Sequence, residues 1–358
     1  MLLEGLHIPL TTPFHPDGRL NSRKLAANVE RYSRTPAAGL IALGPSGEPS
    51  LLTGEEAREA LRAVAHAAAP EKVLIAGTAR DSVHAVLELS HFAAKQEYDA
   101  VLVGAPSMLG SGAANGTQHR AQLRQLLTYF QALADQSPLP IILLSTPKHA
   151  IAAEAVVELA AHSRIIALLD ARRRERLSDG FEQLVRLTVA SRQEVVVTHV
   201  FAAVTGRMAK AAGAAESPLI SATSLTGAAT AVVDPPVARA LRTRTKSVGF
   251  QILAGDTGAM LDGLIAGAIG EAPAFAACAP QACYEVFAAW KDGDRPLAEE
   301  KQLRLVEAAQ YAESLGPGGL KFGCDLNGYF GGVTRLPHFP ANGKERAALQ
   351  ELMKGLRN

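Results

Sequence analysis

Between residues 6 and 171, a short and almost unbroken apolar run followed by a longer amphipathic stretch recurs six times. The runs are LHIPLTTPF (6–14), GLIALG (39–44), KVLIAGT (72–78), YDAVLVGAP (98–106), PIILLSTP (140–147) and IIALLDA (165–171). Apolar runs without polar alternation are what strands covered on both faces look like. The stretches between them, such as EEAREALRAVAHAAA and AEAVVELAAHS, have helical spacing. Strand then helix, repeated, predicts a parallel sheet with right-handed crossovers. This regularity predicts an α/β fold, a closed (β/α)8 TIM barrel. A doubly wound open sheet is the alternative. It would carry a Gly-rich dinucleotide fingerprint after the first strand, and the sequence has none.

The chain has 358 residues, 48% hydrophobic and 20% charged, enough apolar material for one large core or two smaller ones. A net charge of +1 implies no nucleic-acid face. The basic run RRRER (172–176) is expected to be a solvated loop. MLLEGLHIPLTTPF is not a targeting segment, and no apolar stretch reaches membrane-spanning length, so a soluble cytoplasmic protein is expected. The three cysteines (Cys278, Cys283, Cys324) are too few and too irregularly spaced for a disulfide framework or a zinc site. No metal and no cofactor are expected.

A barrel carries its chemistry at the C-terminal ends of its strands. Those ends hold Pro13 to His15, Gly44 to Glu48, Pro106 to Met108, Leu144 to His149, and Leu169 to Asp170. The segment after the second run, GPSGEPSLLTGEEAREAL, is a Gly-Ser turn leading into Thr53, with Glu56 three residues on, a capping box that opens a helix. Such a turn presents backbone N–H groups and a hydroxyl, a nest suited to a carboxylate. Gly44, Ser46, Gly47 and Glu48, with Thr12 and Asp170, are therefore the candidate ligand-binding residues. His15, His149 and Asp256 also fall near strand ends, where loop capping and salt bridges account for them equally well. Trp290 reads as a packing residue.

The chain resembles the dihydrodipicolinate synthase and N-acetylneuraminate lyase family. PLTTPFHPDGRLN is similar to that family's first strand and loop, and GPSGEPSLLTGEE to its Gly-Thr-Thr-Gly-Glu turn and helix start. LIAGT is similar to its third strand and ILAGDTGAMLDGLIAGAIG (252–270) to its seventh strand and helix. WKDGD, GGLKFGCDLNG and TRLPHFP resemble its C-terminal helical region. The resemblance implies a (β/α)8 barrel, a homo-oligomer (dimer or tetramer), and a pyruvate or 2-oxo-acid lyase. In that chemistry a lysine on strand six forms a Schiff base, a tyrosine on strand five relays protons, and turn hydroxyls hold the carboxylate.

The residues depart from this pattern where the chemistry lies. The family's strand six reads Ile-x-Gly-Ile-Lys-Glu/Asp-Ala/Ser. Here Asp170 and Ala171 set the register and Leu169 takes the lysine position. On strand five Leu144 takes the tyrosine position. After strand four the family's Pro-Tyr-Tyr is Pro106, Ser107, Met108, and in the turn the first hydroxyl position is Pro45, which has no N–H. Residues 149–209 contain no lysine, so a short slip does not restore one in strand six; Lys148, just beyond strand five, is the nearest relocated nucleophile. The reading that follows is a family member without Schiff-base catalysis that binds a small carboxylate. The alternatives are an active lyase or hydro-lyase using a nucleophile such as Lys148, and a regulatory or structural paralogue. A small 2-oxo acid or other carboxylate is the expected partner, with no nucleic acid and no membrane.

From Asp170 to Gly255 the chain runs 255 − 170 = 85 residues, roughly 60 more than an ordinary βα connection needs. EVVVTHV (194–200) and PLISATSL (218–225) read as strands and FAAVTGRMAKAAG as a helix. Either the barrel closes with 250–255 and 272–277, leaving 178–247 as an insertion, or 194–200 and 218–225 are its last two strands. The first is preferred, with 1–290 as barrel, 291–358 as C-terminal helical region and DPPVARALRTRTKS (234–247) as a return connection. An insertion after strand six is expected at the mouth, as lid, pocket wall or interface. His199 and Lys210 lie in it, either one a candidate to reach the site.

Overall fold

The computed structural model describes residues 1–78, 80–109, 117–172, 184–185, 193–215 and 241–356. Six strands rise in chain order: β1 (Gly5–Pro9), β2 (Gly39–Ala42), β3 (Val73–Gly77), β4 (Ala100–Gly104), β5 (Ile141–Ser145) and β6 (Ile165–Asp170). After the ribbon strands β7 (Gln193–Thr198) and β8 (Thr243–Val248), the barrel resumes with β9 (Gln251–Ala254) and β10 (Gly270–Glu271). All eight barrel strands are parallel, in the closed order β1-β10-β9-β6-β5-β4-β3-β2. Helices α1 (Ser22–Ser33), α2 (Gly54–Ala67), α3 (Val83–Lys95), α4 (Thr117–Gln136) and α5 (Ala153–Leu159) follow the first five strands. Helix α6 (Gly206–Ala215) lies between the ribbon strands and α7 (Met260–Ile265) between β9 and β10. The chain then becomes helical as α8 (Pro280–Lys291), α9 (Arg295–Ser314), α10 (Pro317–Leu326) and α11 (Gly343–Leu352).

Side chains alternate along each strand, and both faces are apolar. Ile41, Ile75, Leu102, Ile142, Leu144, Leu169 and Leu253 fill the lumen. Leu40, Leu74, Val101, Leu143, Leu168 and Ile252 pack outward in the main core with the helices. The base is closed by the first residues of the chain: Gln251 accepts from Leu3 N (2.8 Å) and donates to Met1 O (3.0 Å), while Leu3 joins the lumen cluster.

Three expectations for the second half need correction. The last strand is Gly270–Glu271, not 272–277; Pro273 cannot continue the ladder and 274–277 form a 3-10 turn. Gly270 is required there, since a Cβ would stand 2.5 Å from Gly5 O. In keeping with the preferred reading, residues 194–198 lie in β7, outside the barrel, and 199–200 in the turn that follows; 218–225 lie outside the described residues. Thr243–Val248 is not a simple return connection but the antiparallel partner of β7, with Gln193 opposite Val248 and Thr198 opposite Thr243.

The third correction is positional. The ribbon strands β7 and β8 and helix α6 cover the barrel's base, not its mouth. Lys246 pairs with Glu4 (2.7 Å), Thr205 donates to Pro70 O (2.5 Å), and Gly206 N donates to Asp99 (3.1 Å). Arg207 donates to Ala68 O (3.3 Å) and Lys72 O, and Val195 and Val197 pack on Leu2. All these partners precede or begin strands. The reason is topological: a parallel strand starts at the base, and the ribbon ends at Val248, just before β9. Among the described residues no helix is long and apolar enough to cross a membrane.

Candidate functional site at the barrel mouth

Leu144 and Leu169 are Cα partners on β5 and β6, and the next pair up is Ser145 and Asp170. Both leucines point into the lumen cluster and are 7% and 3% exposed. Alternation takes Asp170 out of the lumen, toward the side that its other partner Ala254 faces. Its buried carboxylate is held by Arg172, through Nε at 2.8 Å and Nη2 at 2.5 Å, and by Arg172 N at 3.1 Å. That clamp raises the Arg172 pKa further. Arg172 is thus a structural partner rather than part of a solvated basic loop; 173–176 lie outside the described residues.

The turn after β2 brings together the predicted set from Gly44 to Glu48 with Thr12. Pro45–Gly47 form one 3-10 turn, closed by Gly47 N donating to Gly44 O (2.9 Å). Thr12 Oγ1 donates to Gly47 O at 2.7 Å, so its hydroxyl fastens the turn. Gly47 has little room for a side chain, since a Cβ would lie 3.1 Å from Thr12 Oγ1 and 3.2 Å from Leu10 O. Ser46 is 7% exposed.

Glu48 turns away from this set. It has a left-handed backbone (φ 53°, ψ 45°), and its fully buried carboxylate meets Lys321 Nζ of α10 at 2.5 Å and His338 Nδ1 at 3.1 Å. Arg335 N donates to it at 3.2 Å. Lys321 also donates to Val333 O (2.7 Å) and lies 4.4 Å from the centroid of Phe14, with Arg335 4.3 Å from the same ring. Burial lowers the Lys321 pKa, and Glu48 opposes that shift. Arg335 pairs with Glu56, whose carboxyl is drawn down to about 2 by that guanidinium. Thr53 and Glu56 form the expected capping box.

Lys321, Arg335 and His338 are not singled out by the sequence, whereas Phe14 falls within the strand-end segment that closes at His15. One signal was available: Lys321 is a lone charge in the apolar, glycine-rich stretch GGLKFGC, where a buried cation needs a buried partner. Lys148 lies on the exposed loop after β5. His149 N donates to Thr146 (3.1 Å to Oγ1), His15 Nδ1 lies 3.5 Å from Asn21 Nδ2, and Asp256 caps the turn at Gly258 (3.1 Å). His199 and Lys210 belong to the base, where His199 N donates to Arg242 O (3.0 Å) and Lys210 pairs with Glu97. Trp290 packs against Phe287 with ring centroids 5.8 Å apart.

A family model described as the dihydrodipicolinate synthetase family matches residues 2–188 and 219–356. The gap, 189–218, holds β7 and α6. The 4-hydroxy-tetrahydrodipicolinate synthase of Methanothrix thermoacetophila is 24% identical over 357 residues, covering 98% of this chain and 96% of that protein. That of Acidiphilium cryptum is 24% identical over 360 residues, covering 99% of each. Among solved structures, dihydrodipicolinate synthase from Aquifex aeolicus superposes with a TM-score of 0.72 at 20% identity, over 99% of this chain and 100% of that one. YagE, a prophage protein of the same family from Escherichia coli K12 in complex with pyruvate, gives 0.71 at 21% identity, over 99% of each chain. At such identities the structural likeness speaks for the fold alone.

Proposed function

The chain belongs to the dihydrodipicolinate synthetase family, and on that premise we propose that it is a member without Schiff-base catalysis, whose mouth holds a small carboxylate noncovalently. The observation that carries this reading is the Leu144–Leu169 pair. Imine formation needs an amine in the lumen and a proton relay beside it. Two adjacent buried leucines supply neither. The turn from Gly44 to Gly47, fastened by Thr12 and seated on the Glu48–Lys321 pair, supports retention of carboxylate binding at Ser46 and Gly47.

The test is incubation with pyruvate and borohydride followed by intact mass. No adduct is expected, together with a pyruvate-dependent rise in melting temperature, because a ligand that prefers the native state stabilises it. An adduct mapped to Lys148 or Lys321 would replace this reading with that of an active lyase. Neither adduct nor thermal shift would leave a regulatory or structural paralogue.

Self-association belongs to the same proposal. Met108, Leu336 and Phe339 are 74%, 76% and 76% exposed, on loops beside the mouth. Sedimentation velocity is expected to give a dimer or tetramer, and a monomer at micromolar concentration would sink this part.

A further inference from the structure

We propose that the cleft between the barrel's base and the β7–β8 ribbon binds a planar organic anion of mononucleotide size, independently of the mouth. The cleft measures about 1000 Å3, at the upper end for small-molecule sites. Its floor is formed where β1, β2 and β3 begin, one wall by the turn after β7, and the other by α8.

Aromatic rings come from both walls: Phe201 from the turn, Tyr284 and Phe287 from α8. Phe201 is 46% exposed and adopts φ 62°, a left-handed conformation uncommon for any residue with a Cβ. Such strain persists only where surrounding bonds over-determine it. Here Phe201 N donates to Thr198 O (2.9 Å), Ala202 N to Thr198 Oγ1 (3.0 Å), and Thr198 N to Ala202 O (2.8 Å). The turn therefore holds an aromatic ring outward at the cleft, with the Arg244 guanidinium 5.4 Å from its centroid.

The cations supply the second half of the recognition. Lys72, Arg242 and Lys291 line the cleft against the carboxylates of Glu4 and Glu71. Glu4 is already matched, by Lys246 at 2.7 Å and by Lys291. Lys72 Nζ is fixed by donation to Thr35 O (2.7 Å) and Ala37 O (2.8 Å), both neutral acceptors. Burial consequently lowers its pKa, opposed only by the charge of Glu71. An anion entering the cleft would relieve this undercompensated charge, and His199 N holds the Arg242 backbone at 3.0 Å on the same rim. Rings on two walls and cations on floor and rim fit a flat body carrying a negative group.

The full chain is to be titrated with adenosine monophosphate, adenosine and inorganic phosphate. The one tryptophan of the chain, Trp290, touches the cleft-lining Phe287 and serves as fluorescent reporter, with calorimetry alongside. Saturable binding of the nucleotide is expected, with adenosine and phosphate each about tenfold weaker or worse. Phe201→Ala and Arg242→Ala should each raise the nucleotide Kd about tenfold at unchanged melting temperature. The proposal is overturned if the nucleotide fails to saturate at millimolar concentration. It is equally overturned if phosphate or adenosine alone binds as well, or if both variants keep the original Kd.

Discussion

Leu144 and Leu169 stand side by side on adjacent strands, Cα partners whose side chains share the barrel lumen. Two hydrocarbon groups meet at the level where the fold presents its chemistry, and their neighbours Ile41, Leu102 and Leu253 are apolar as well. A charge placed there would have little solvation.

That sets the first prediction. Leu169→Lys should cost about 3 kcal/mol or more of unfolding free energy, because the ammonium would be desolvated without a partner. The same desolvation depresses the new amine's pKa and favours its nucleophilic form. Leu169→Lys combined with Leu144→Tyr should form a borohydride-trappable adduct with pyruvate that the parent does not. Urea titration and intact mass check the two parts; a stable variant with no adduct would show that the mouth no longer admits the substrate.

His7 is fully buried and bonds Leu3 O at 3.1 Å, and burial holds its pKa down to about 4. The folded form refuses a proton that the unfolded chain accepts near 6.5. Stability from this group is fully present above pH 6.5 and is lost as the pH falls through about 4. The loss amounts to about 3 kcal/mol at about 1.4 kcal/mol per pKa unit. Denaturation of His7→Gln at pH 7, 5.5 and 4, compared with the parent, should show a shallower acid slope in the variant.

Glu271 has the opposite sign. It is fully buried on β10, facing the helices, with no hydrogen-bond partner for either carboxylate oxygen among the described residues, and burial raises its pKa well above the usual range. Stability is fully present below about pH 4.5, the ordinary value, and falls as the pH climbs toward the raised folded value. Glu271→Met should stabilise the protein by about 1–3 kcal/mol at pH 8, with the gain shrinking toward pH 4.5. A thermal melt series across that range is decisive, and a gain that does not depend on pH would point to packing instead.

The Glu48–Lys321 pair should behave as a coupled unit. Lys321→Met alone takes the ammonium from the buried Glu48 carboxylate, leaving it His338 Nδ1 and Arg335 N, and should cost about 3–5 kcal/mol; Glu48→Leu alone should cost a similar amount. The double variant should cost clearly less than the sum. Additive single effects in a double-mutant cycle would mean that the two charges do not depend on each other.

How much of this was legible in the chain differs from element to element. The six early strands follow from apolar runs with strand-length period, and the capping box at Thr53 follows from Glu56 three residues on. The last strand was misplaced because Gly270–Glu271 is only two residues long. It pairs with β1 and β9 through backbone bonds and leaves no apolar run to read. In sequence the ribbon is a strand followed by a return connection, because Thr243–Val248 has the composition of an exposed loop. Glu48 was placed among ligand-binding candidates because its turn is at the mouth; its partner arrives from a helix far along the chain.

By itself the sequence determined the alternation of strand and helix, the parallel barrel this implies, and the leucines at positions 144 and 169. Such properties depend on covalent identity and on periods of a few residues. Only the tertiary structure decided that β7, α6 and β8 cover the base, that Glu48 meets Lys321 across 321 − 48 = 273 residues, and that Phe201 faces Tyr284 and Phe287 across a cleft. Those pairings arise when the barrel closes, and a contact made by closure leaves no local pattern in the chain.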